Sequence, residues 1–158
     1  MRVVEARVHL VAGILEREDG LLLAASRYPN HREPLWNLPG GRQRHGELFD
    51  EALRREFLEE TGLHVAVGDL AYVSESYDRA TGTHFVAVVF GVSADGEPRF
   101  DRNDAHVVEL AWVPREELET RIGVAVVREP LLKHLADPRR RYFCRADAGI
   151  TIEFLDSP

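Results

Sequence analysis

The acidic side chains of segment 47–61 combine residue types and a spacing that could do chemistry. Apolar residues at helical spacing predict an α-helix here, and four of them define the arc that should face a core: Phe49, Ala52, Leu53 and Phe57. At about 100° per residue, Glu56 and Glu60 fall inside that arc and Glu59 falls at its edge. Thr61 falls on the opposite face. An ordinary amphipathic helix keeps its carboxylates on the polar face, so these three acids require a compensating partner.

Partly buried carboxylates within one helical turn repel one another unless something cancels their charge. Protonation, an arginine partner or a metal cation could do so, and Arg55 can offset one acid but not three. Carboxylate oxygens with no cysteine nearby favour a hard cation such as Mg²⁺ or Mn²⁺ over Zn²⁺. Because Mg²⁺ commonly also binds substrate phosphates, such a site favours a phosphate or pyrophosphate substrate. The alternative is that the glutamates form the solvated end of an ordinary acidic helix.

The residues around this helix match a known motif. After Gly41 come five residues, then Glu47, then seven residues, and then the run Arg55-Glu56-Phe57-Leu58-Glu59-Glu60-Thr61-Gly62-Leu63. This pattern resembles the box of the Nudix hydrolases, Gly-x5-Glu-x7-Arg-Glu-U-x-Glu-Glu-x-Gly-U, in which U is a bulky aliphatic residue. Every fixed position of the box matches over residues 41–63, with Phe57 at a U position as a mild departure. Residues 36–41, Trp-Asn-Leu-Pro-Gly-Gly, also resemble the usual approach to that box.

The resemblance implies an enzyme that hydrolyses a pyrophosphate bond of a nucleoside diphosphate linked to another group, X, with Mg²⁺ or Mn²⁺ as cofactor. Carried over by position, the implied metal ligands are the Gly40 carbonyl and four carboxylates: Glu47, Glu56, Glu59 and Glu60. The implied role of Arg55 is to orient the glutamates by salt bridges, which suits a guanidinium. The cation would activate a water, and Glu56 is a candidate for the general base. The implied catalytic set is therefore Arg55, Glu56, Glu59 and Glu60, and the number of metal ions is left open.

A nucleotide sensor with the Nudix fold but without turnover is the second class of function to consider. Such modules usually lose acids of the box. This chain keeps all four glutamates of the box, which favours the enzyme.

Substrate specificity in this family comes from outside the box. A proline that marks many ADP-ribose hydrolases is missing from residues 76–79, so we expect a nucleoside triphosphate, a nucleotide sugar or a dinucleoside polyphosphate. Aromatic rings could stack on a base and arginines could meet a phosphate, with core packing as the alternative for the tryptophan. The candidates are Arg27, Tyr28, Trp36 and Tyr77. His106 stands where an acid often supplies a further ligand, and Asp104 or Glu109 could replace it.

Composition limits the class of protein. The 158 residues include 20 basic and 27 acidic side chains, a net charge of −7. Proteins that bind nucleic acid generally are normally basic, so we expect no such binding. The N-terminus lacks a signal-peptide pattern, no apolar stretch approaches the roughly 18 residues of a membrane span, and the single cysteine permits no internal disulfide. We therefore expect a cytoplasmic protein with a small nucleotide substrate and no membrane partner. A homodimer is left open.

Hydrophobic periodicity and turn residues predict a mixed order of strands and helices in one domain over residues 1–158. Strands are predicted at 8–15, 21–23, 36–38, 65–77, 84–93 and 107–113. Helices are predicted at 47–61, after Pro114 and at 130–136, with Gly62 as a helix stop. Two further strands, 141–145 and 150–155, predict a C-terminal hairpin within residues 139–155. The resemblance implies an α/β fold of the α+β type, an α/β/α sandwich around a mixed β-sheet.

Overall fold

Two β-sheets and three α-helices make up residues 6–100 and 106–154, which are the residues described by this computed structural model. The strands are β1 Ala6–Ile14, β2 Glu16–Arg17, β3 Gly20–Ser26, β4 Leu35–Asn37, β5 Gly40–Arg42, β6 Ala66–Asp78, β7 Thr83–Ser93, β8 Val107–Val113 and β9 Tyr142–Arg145. The helices are α1 Phe49–Thr61, α2 Leu118–Arg121 and α3 Ala125–Ala136, and a 3₁₀ turn, Arg115–Glu117, precedes α2. Within the described ranges, every helix is too short or too polar to cross a membrane.

The larger sheet is mixed, with the strand order β5-β1-β7-β6-β9. Strand β1 pairs in parallel with β7 and antiparallel with β5, while β6 pairs antiparallel with β7 and in parallel with β9. In the smaller, antiparallel sheet, β3 pairs with β2, β4 and β8. The β1–β5 register places Gly40 opposite Ala12 and Gly41 opposite Val11, so the glycine pair lies at the edge of the larger sheet.

Two hydrophobic clusters lie on opposite sides of β3. Leu22 belongs to the cluster that includes three residues of α1, Ala52, Leu53 and Phe57. Leu21 and Leu23 belong to the cluster that includes residues of the α2–α3 region, Leu118, Ile122 and Leu131. Because successive side chains of a strand point to opposite faces, helices on both faces bury all of β3. The mixed-sheet α+β fold expected from the sequence is confirmed.

Helix α1 ends where the sequence predicts and begins two residues later than predicted. Gly62 adopts a φ of 71° and donates its N–H to the Leu58 carbonyl at 3.0 Å, which ends the helix in the left-handed conformation that glycine tolerates. At the start, the Glu51 carboxylate accepts the N–H of Leu48 at 3.1 Å and satisfies a donor that has no partner within the helix. Hydrogen bonds therefore define both ends of α1, which helps to fix the direction in which its acidic side chains point.

Thr61 is fully buried, so its predicted place on the polar face of α1 is wrong. Its hydroxyl donates to the Phe57 carbonyl at 2.6 Å. The chain also returns over this end of the helix, because the N–H of Arg99 donates to the Thr61 carbonyl at 2.8 Å. A helical wheel cannot anticipate such a covering segment.

Helix α3 begins at Ala125, five residues before its predicted start at Pro130. A proline inside a helix removes one N–H, whose acceptor here would be the carbonyl of Val126 in the first turn. Pro130 and Leu131 are both buried. The packing of these side chains therefore keeps the helix continuous through the proline.

The predicted C-terminal hairpin is wrong. Strand β9 pairs in parallel with β6, with Phe143 opposite Ser74, and residues 150–154 form no strand. Residue 155 lies outside the described ranges. The pairing with β6 buries Phe143 in the core, where its ring meets that of Tyr72 edge-on at 5.6 Å between centroids. This long-range contact outweighs the local turn that the sequence suggested.

Phe57→Ala should lower the free energy of unfolding by about 3–5 kcal/mol, because the ring is fully buried and its removal leaves a cavity. Leu58 on the same helix is 44% exposed, so Leu58→Ala is the matched control and should change stability by less than about 0.5 kcal/mol. Urea unfolding followed by circular dichroism measures both variants. Equal losses would contradict the placement of Phe57 in the core.

Candidate active site

A cavity of about 1190 Å³ opens beside α1, and three carboxylates of that helix line it: Glu56, Glu59 and Glu60. The glycine pair Gly40–Gly41 of β5 lines the cavity next to them. Strands β1, β6 and β7 contribute further lining residues. The pairing of β5 with β1 therefore brings the glycine pair and the acids of α1 to one site.

The burial of the three acids follows their positions on the helical wheel. Glu60 is 3% exposed and the Glu56 side chain is 14% exposed, whereas the Glu59 side chain at the edge of the arc is 44% exposed. Glu60 Oε1 accepts the N–H of Gly40 at 2.7 Å. The glycine pair thus supplies a hydrogen bond to the most buried carboxylate of the site.

Close approach requires glycine at position 40, and glycine at position 41 leaves room for the Glu56 carboxylate. A Cβ at Gly41 would lie 2.5 Å from Glu56 Oε1, and a Cβ at Gly40 would clash with the Val11 carbonyl. Any larger residue at position 41 would have to displace the Glu56 carboxylate. Gly40 therefore packs against strand β1, and Gly41 packs against the carboxylate of Glu56.

Arg55 contacts three of the four glutamates that the sequence analysis singled out. Its guanidinium donates to both oxygens of Glu47, at 2.6 and 2.9 Å, a bidentate pair. It also donates to Glu56 Oε1 at 2.8 Å and to Glu59 Oε2 at 3.3 Å. Arg44 also reaches Glu59, with 3.9 Å between Arg44 Nη2 and Glu59 Oε1, so two arginines lie against these three carboxylates.

The pKa values of the two glutamates that contact Arg55 most closely, Glu47 and Glu56, are shifted in opposite directions. Hydrogen bonds from Arg55, reinforced by the backbone N–H of Arg44, lower the pKa of Glu47 from 4.5 to about 2. Burial raises the pKa of Glu56 to about 7, since the loss of solvation outweighs the contact with Arg55. Burial, with the nearby charges of Glu60 and Glu56, also raises the pKa of Tyr28 to about 12. Glu47 is thus a fixed anion, and Glu56 can gain or lose a proton near neutral pH.

The structure brings two of the four predicted substrate-binding residues to the cavity. Tyr28 and Trp36 line it, and Trp36 also packs on the core and lies under the guanidinium of Arg121 at 4.8 Å. Arg27 and Tyr77 do not line it. The Tyr77 ring packs on His84 instead, with 6.5 Å between ring centroids. The structure therefore separates Arg27 and Tyr77 from the acids of α1.

The segment after the box that could supply a further ligand lies partly outside the described residues. Asp104 lies outside the described residues. Glu109 is exposed on β8 and does not line the cavity. His106 lines the cavity, and its ring meets that of Tyr28 edge-on at 5.2 Å between centroids. Here His106 packs against an aromatic wall of the cavity.

Sequence reasoning missed the contribution of the C-terminal segment to the cavity. Ile150, Ile152 and Phe154 line it, although the sequence placed them in a hairpin. Their alternate spacing was the available signal, because it predicts an extended segment with one apolar face whether or not that segment joins a sheet.

The donor chemistry of the site fits a hard divalent cation. Glu56, Glu59 and Glu60 present carboxylate oxygens on one wall, beside a glycine pair that leaves no room for a side chain at Gly41. Among residues 6–100 and 106–154, no three His, Cys, Asp or Glu side chains are gathered as a metal cluster. Arg55 is instead paired with the box carboxylates in this structure.

The Glu56 carboxyl should titrate with a pKa near 7 in the metal-free protein, while Glu47 titrates near 2. Carbon-detected NMR of the side-chain carboxyls measures both values, and the signal missing from Glu56→Gln assigns the resonance. A Glu56 pKa at or below its ordinary value of 4.5 would contradict the burial argument.

The same shift has a defined effect on stability. Between pH 4.5 and 7 the folded protein keeps a proton on Glu56 that the unfolded chain releases, so this group's contribution falls as pH rises. Glu47 acts in the opposite sense, since its contribution is present above pH 4.5 and is lost as pH falls towards 2. Urea unfolding at about pH 5 and pH 7 should therefore show wild type losing stability relative to Glu56→Gln. A pH-independent difference would contradict this linkage.

Known proteins resemble this chain over most of its length. The NUDIX domain model matches residues 7–135. A MutT-like protein of Streptomyces ambofaciens is 34% identical over 113 residues, which are 72% of this chain and 68% of that protein. An ADP-ribose pyrophosphatase of Methanocaldococcus jannaschii is 36% identical over 100 residues, which are 63% of this chain and 59% of that protein. The solved structure of the MutT protein from Methanosarcina mazei Go1 has the same fold, with a TM-score of 0.72 at 22% identity over 89% of this chain and all of that one.

The box of residues 41–63, its placement on α1 beside the glycine pair, and the domain match over residues 7–135 agree with one another. The family and hydrolase class predicted from the sequence are thereby confirmed: the chain belongs to the Nudix hydrolase family.

Proposed function

We propose that this protein hydrolyses a pyrophosphate bond in a small nucleoside diphosphate-X substrate, with Mg²⁺ or Mn²⁺ as cofactor. The observation that carries the proposal is the placement of Glu56, Glu59 and Glu60 on one wall of a large cavity, where Glu56 and Glu59 share the guanidinium of Arg55. A solvated acidic helix end, the competing interpretation, would not bury Glu60 to 3% exposure. Carboxylate oxygens gathered on one cavity wall favour the binding of a hard cation.

The residues that would hold the cation are Glu56, Glu59 and Glu60, with the Gly40 carbonyl. Glu47 was expected among the ligands, but both of its oxygens accept hydrogen bonds from Arg55. We therefore assign to Glu47 the positioning of Arg55, and to Arg55 the orientation of the Glu56 and Glu59 carboxylates. When bound, the cation supplies positive charge to the pyrophosphate and makes the attacking water easier to deprotonate.

Glu56 is the residue we assign to proton transfer. A general base works best when its pKa lies near the operating pH, and burial raises the pKa of Glu56 to about 7 in the metal-free protein. The neighbouring Glu47, with a pKa near 2, is too weak a base to take a proton at neutral pH. Although both carboxylates contact Arg55, Glu47 stays ionised and holds the arginine, while Glu56 can accept a proton.

The size of the cavity supports a nucleotide as substrate. A volume of about 1190 Å³ exceeds what a pyrophosphate alone would fill and lies somewhat above the roughly 300–1,000 Å³ of ordinary small-molecule sites. Tyr28 and Trp36 provide aromatic surface within it. The relative from Methanocaldococcus jannaschii is named an ADP-ribose pyrophosphatase, so ADP-ribose belongs among the substrates to test beside those expected from the sequence.

The experiment is a substrate panel with Mg²⁺ or Mn²⁺: nucleoside triphosphates, nucleotide sugars, dinucleoside polyphosphates, ADP-ribose and a capped RNA. We expect cleavage of at least one small nucleotide, detected by phosphate and nucleotide release, and no cleavage when the cation is chelated. Tight nucleotide binding without any cleavage would contradict the enzyme and support a nucleotide sensor. Cleavage of the cap alone would overturn the choice of a small substrate.

Glu60→Gln is the variant that ties this turnover to the site. It keeps an oxygen for the Gly40 N–H but removes the charge, so we expect a loss of about 100-fold or more in kcat, as several kcal/mol of charge stabilisation would give. Glu51→Gln, an exposed position of the same helix, is the matched control and should retain the wild-type rate. A full rate for Glu60→Gln would remove this residue from the mechanism.

A further inference from the structure

The segment 148–154, which we call the C-terminal strap, presents an alternating face to the cavity. Its even-numbered residues all line the cavity: Ala148, Ile150, Ile152 and Phe154. An extended chain directs every second side chain to the same side, so residues 150–154 offer the cavity a continuous apolar surface. Ala148 adds to it from before the turn at Gly149, whose φ is 72°. The NUDIX domain match ends at residue 135, so this wall lies outside the part shared with the family model.

The odd-numbered residues and the backbone tether the strap to the loop between β3 and β4 and to the end of β6. The Thr151 carbonyl accepts hydrogen bonds from Asn30 Nδ2 at 2.6 Å and from His31 Nε2 at 2.7 Å. The Thr151 hydroxyl donates to the buried carboxylate of Asp78 at 2.9 Å, and the N–H of Glu153 donates to Asn30 Oδ1 at 2.9 Å. These contacts join segments more than 70 residues apart in sequence and hold the apolar face over the cavity.

The last described residue of the strap completes an aromatic cluster on the cavity wall. The Phe154 ring meets that of Tyr28 edge-on at 6.4 Å between centroids, and the Arg42 guanidinium lies 4.2 Å from the Phe154 centroid. Tyr28 in turn lies near Glu56 and Glu60, whose charges contribute to its raised pKa. The cavity therefore runs from the carboxylates, past Tyr28, to the ring of Phe154.

We propose that the C-terminal strap is the nucleoside subsite, in which the Phe154 ring stacks on the nucleobase while the pyrophosphate lies at the carboxylates of α1. The inference rests on the proposed function for its ligand, a nucleotide. A flat apolar surface between two polar ends suits a base, because every nucleobase has a π-face and stacks on aromatic side chains. The strap thus determines affinity for the nucleoside part and takes no part in proton transfer.

The test compares binding of nucleotides with binding of a ligand that lacks a base. The probes are the four α,β-methylene nucleoside triphosphates, which resist hydrolysis at that position, and inorganic triphosphate, each titrated calorimetrically with Mg²⁺. Wild type should bind at least one analogue more tightly than triphosphate. Phe154→Ala should raise the Kd of that analogue about tenfold, within the range measured for base–aromatic stacking, and leave the Kd of triphosphate unchanged.

Two further variants separate stacking from general disruption. Tyr142→Ala removes an aromatic ring that is 60% exposed on β9 and lies outside the cavity, so it should bind every probe as wild type does. Asn30→Ala removes two tethers of the strap but no cavity side chain, so it should weaken analogue binding by a smaller factor and again spare triphosphate.

The outcomes distinguish this inference from the proposed function. Equal analogue affinity in wild type and Phe154→Ala, or parallel weakening of analogue and triphosphate, would overturn the subsite even if the enzyme is active. An absence of analogue binding to wild type would overturn it as well. Base-dependent binding that requires Phe154, in a protein that cleaves none of the panel, would support the subsite and refute the hydrolytic function.

Discussion

The sharing of one guanidinium among three carboxylates is the interaction on which the rest of the site depends. Arg55 holds both oxygens of Glu47 and also reaches Glu56 and Glu59, and Glu60 lies buried beside them. Arg44 also lies against Glu59, with 3.9 Å between its Nη2 and Glu59 Oε1. Carboxylates crowded at one site repel one another, and a proton or a cation would reduce that repulsion. Burial raises the pKa of Glu56 to about 7, so near neutral pH a proton there is held weakly enough for a cation to displace it.

The hydrophobic core stabilises this arrangement because it holds α1 through the face that carries Leu53 and Phe57. Phe57 and Leu53 are fully buried against the sheet, so α1 cannot rotate to expose its acids. The β1–β5 pairing then places Gly40 and Gly41 against the same acids, where a side chain at position 41 would strike Glu56. The rotation of α1 about its axis therefore determines both how its apolar residues pack in the core and where its acids lie in the site. The cavity beyond the acids is closed by elements distant in sequence, including the C-terminal strap.

The sequence predicted those features of the molecule that depend on interactions between residues close together in the chain. The wheel placed Glu56 and Glu60 inside the arc that faces the core and Glu59 at its edge, in agreement with their exposures. Gly62 ends α1 because its left-handed conformation is a local preference. The failures are all long-range. The hairpin over 139–155 lost to the parallel pairing of β9 with β6, and Arg27 and Tyr77 lie away from the cavity because sequence proximity to the box does not determine where a side chain points. Residue spacing can predict an extended segment with one apolar face, but it does not show which distant element that face will meet.

The most direct test of the central claim is the binding of Mn²⁺ to the wild-type protein, followed by electron paramagnetic resonance with and without a nucleoside triphosphate analogue. We predict a bound Mn²⁺ population that Mg²⁺ displaces, that grows when the analogue is present, and that falls as the pH is lowered below the pKa of Glu56, near 7. A spectrum of free Mn²⁺ alone, at millimolar metal and in the presence of the analogue, would contradict the claim that these carboxylates are buried to hold a divalent cation.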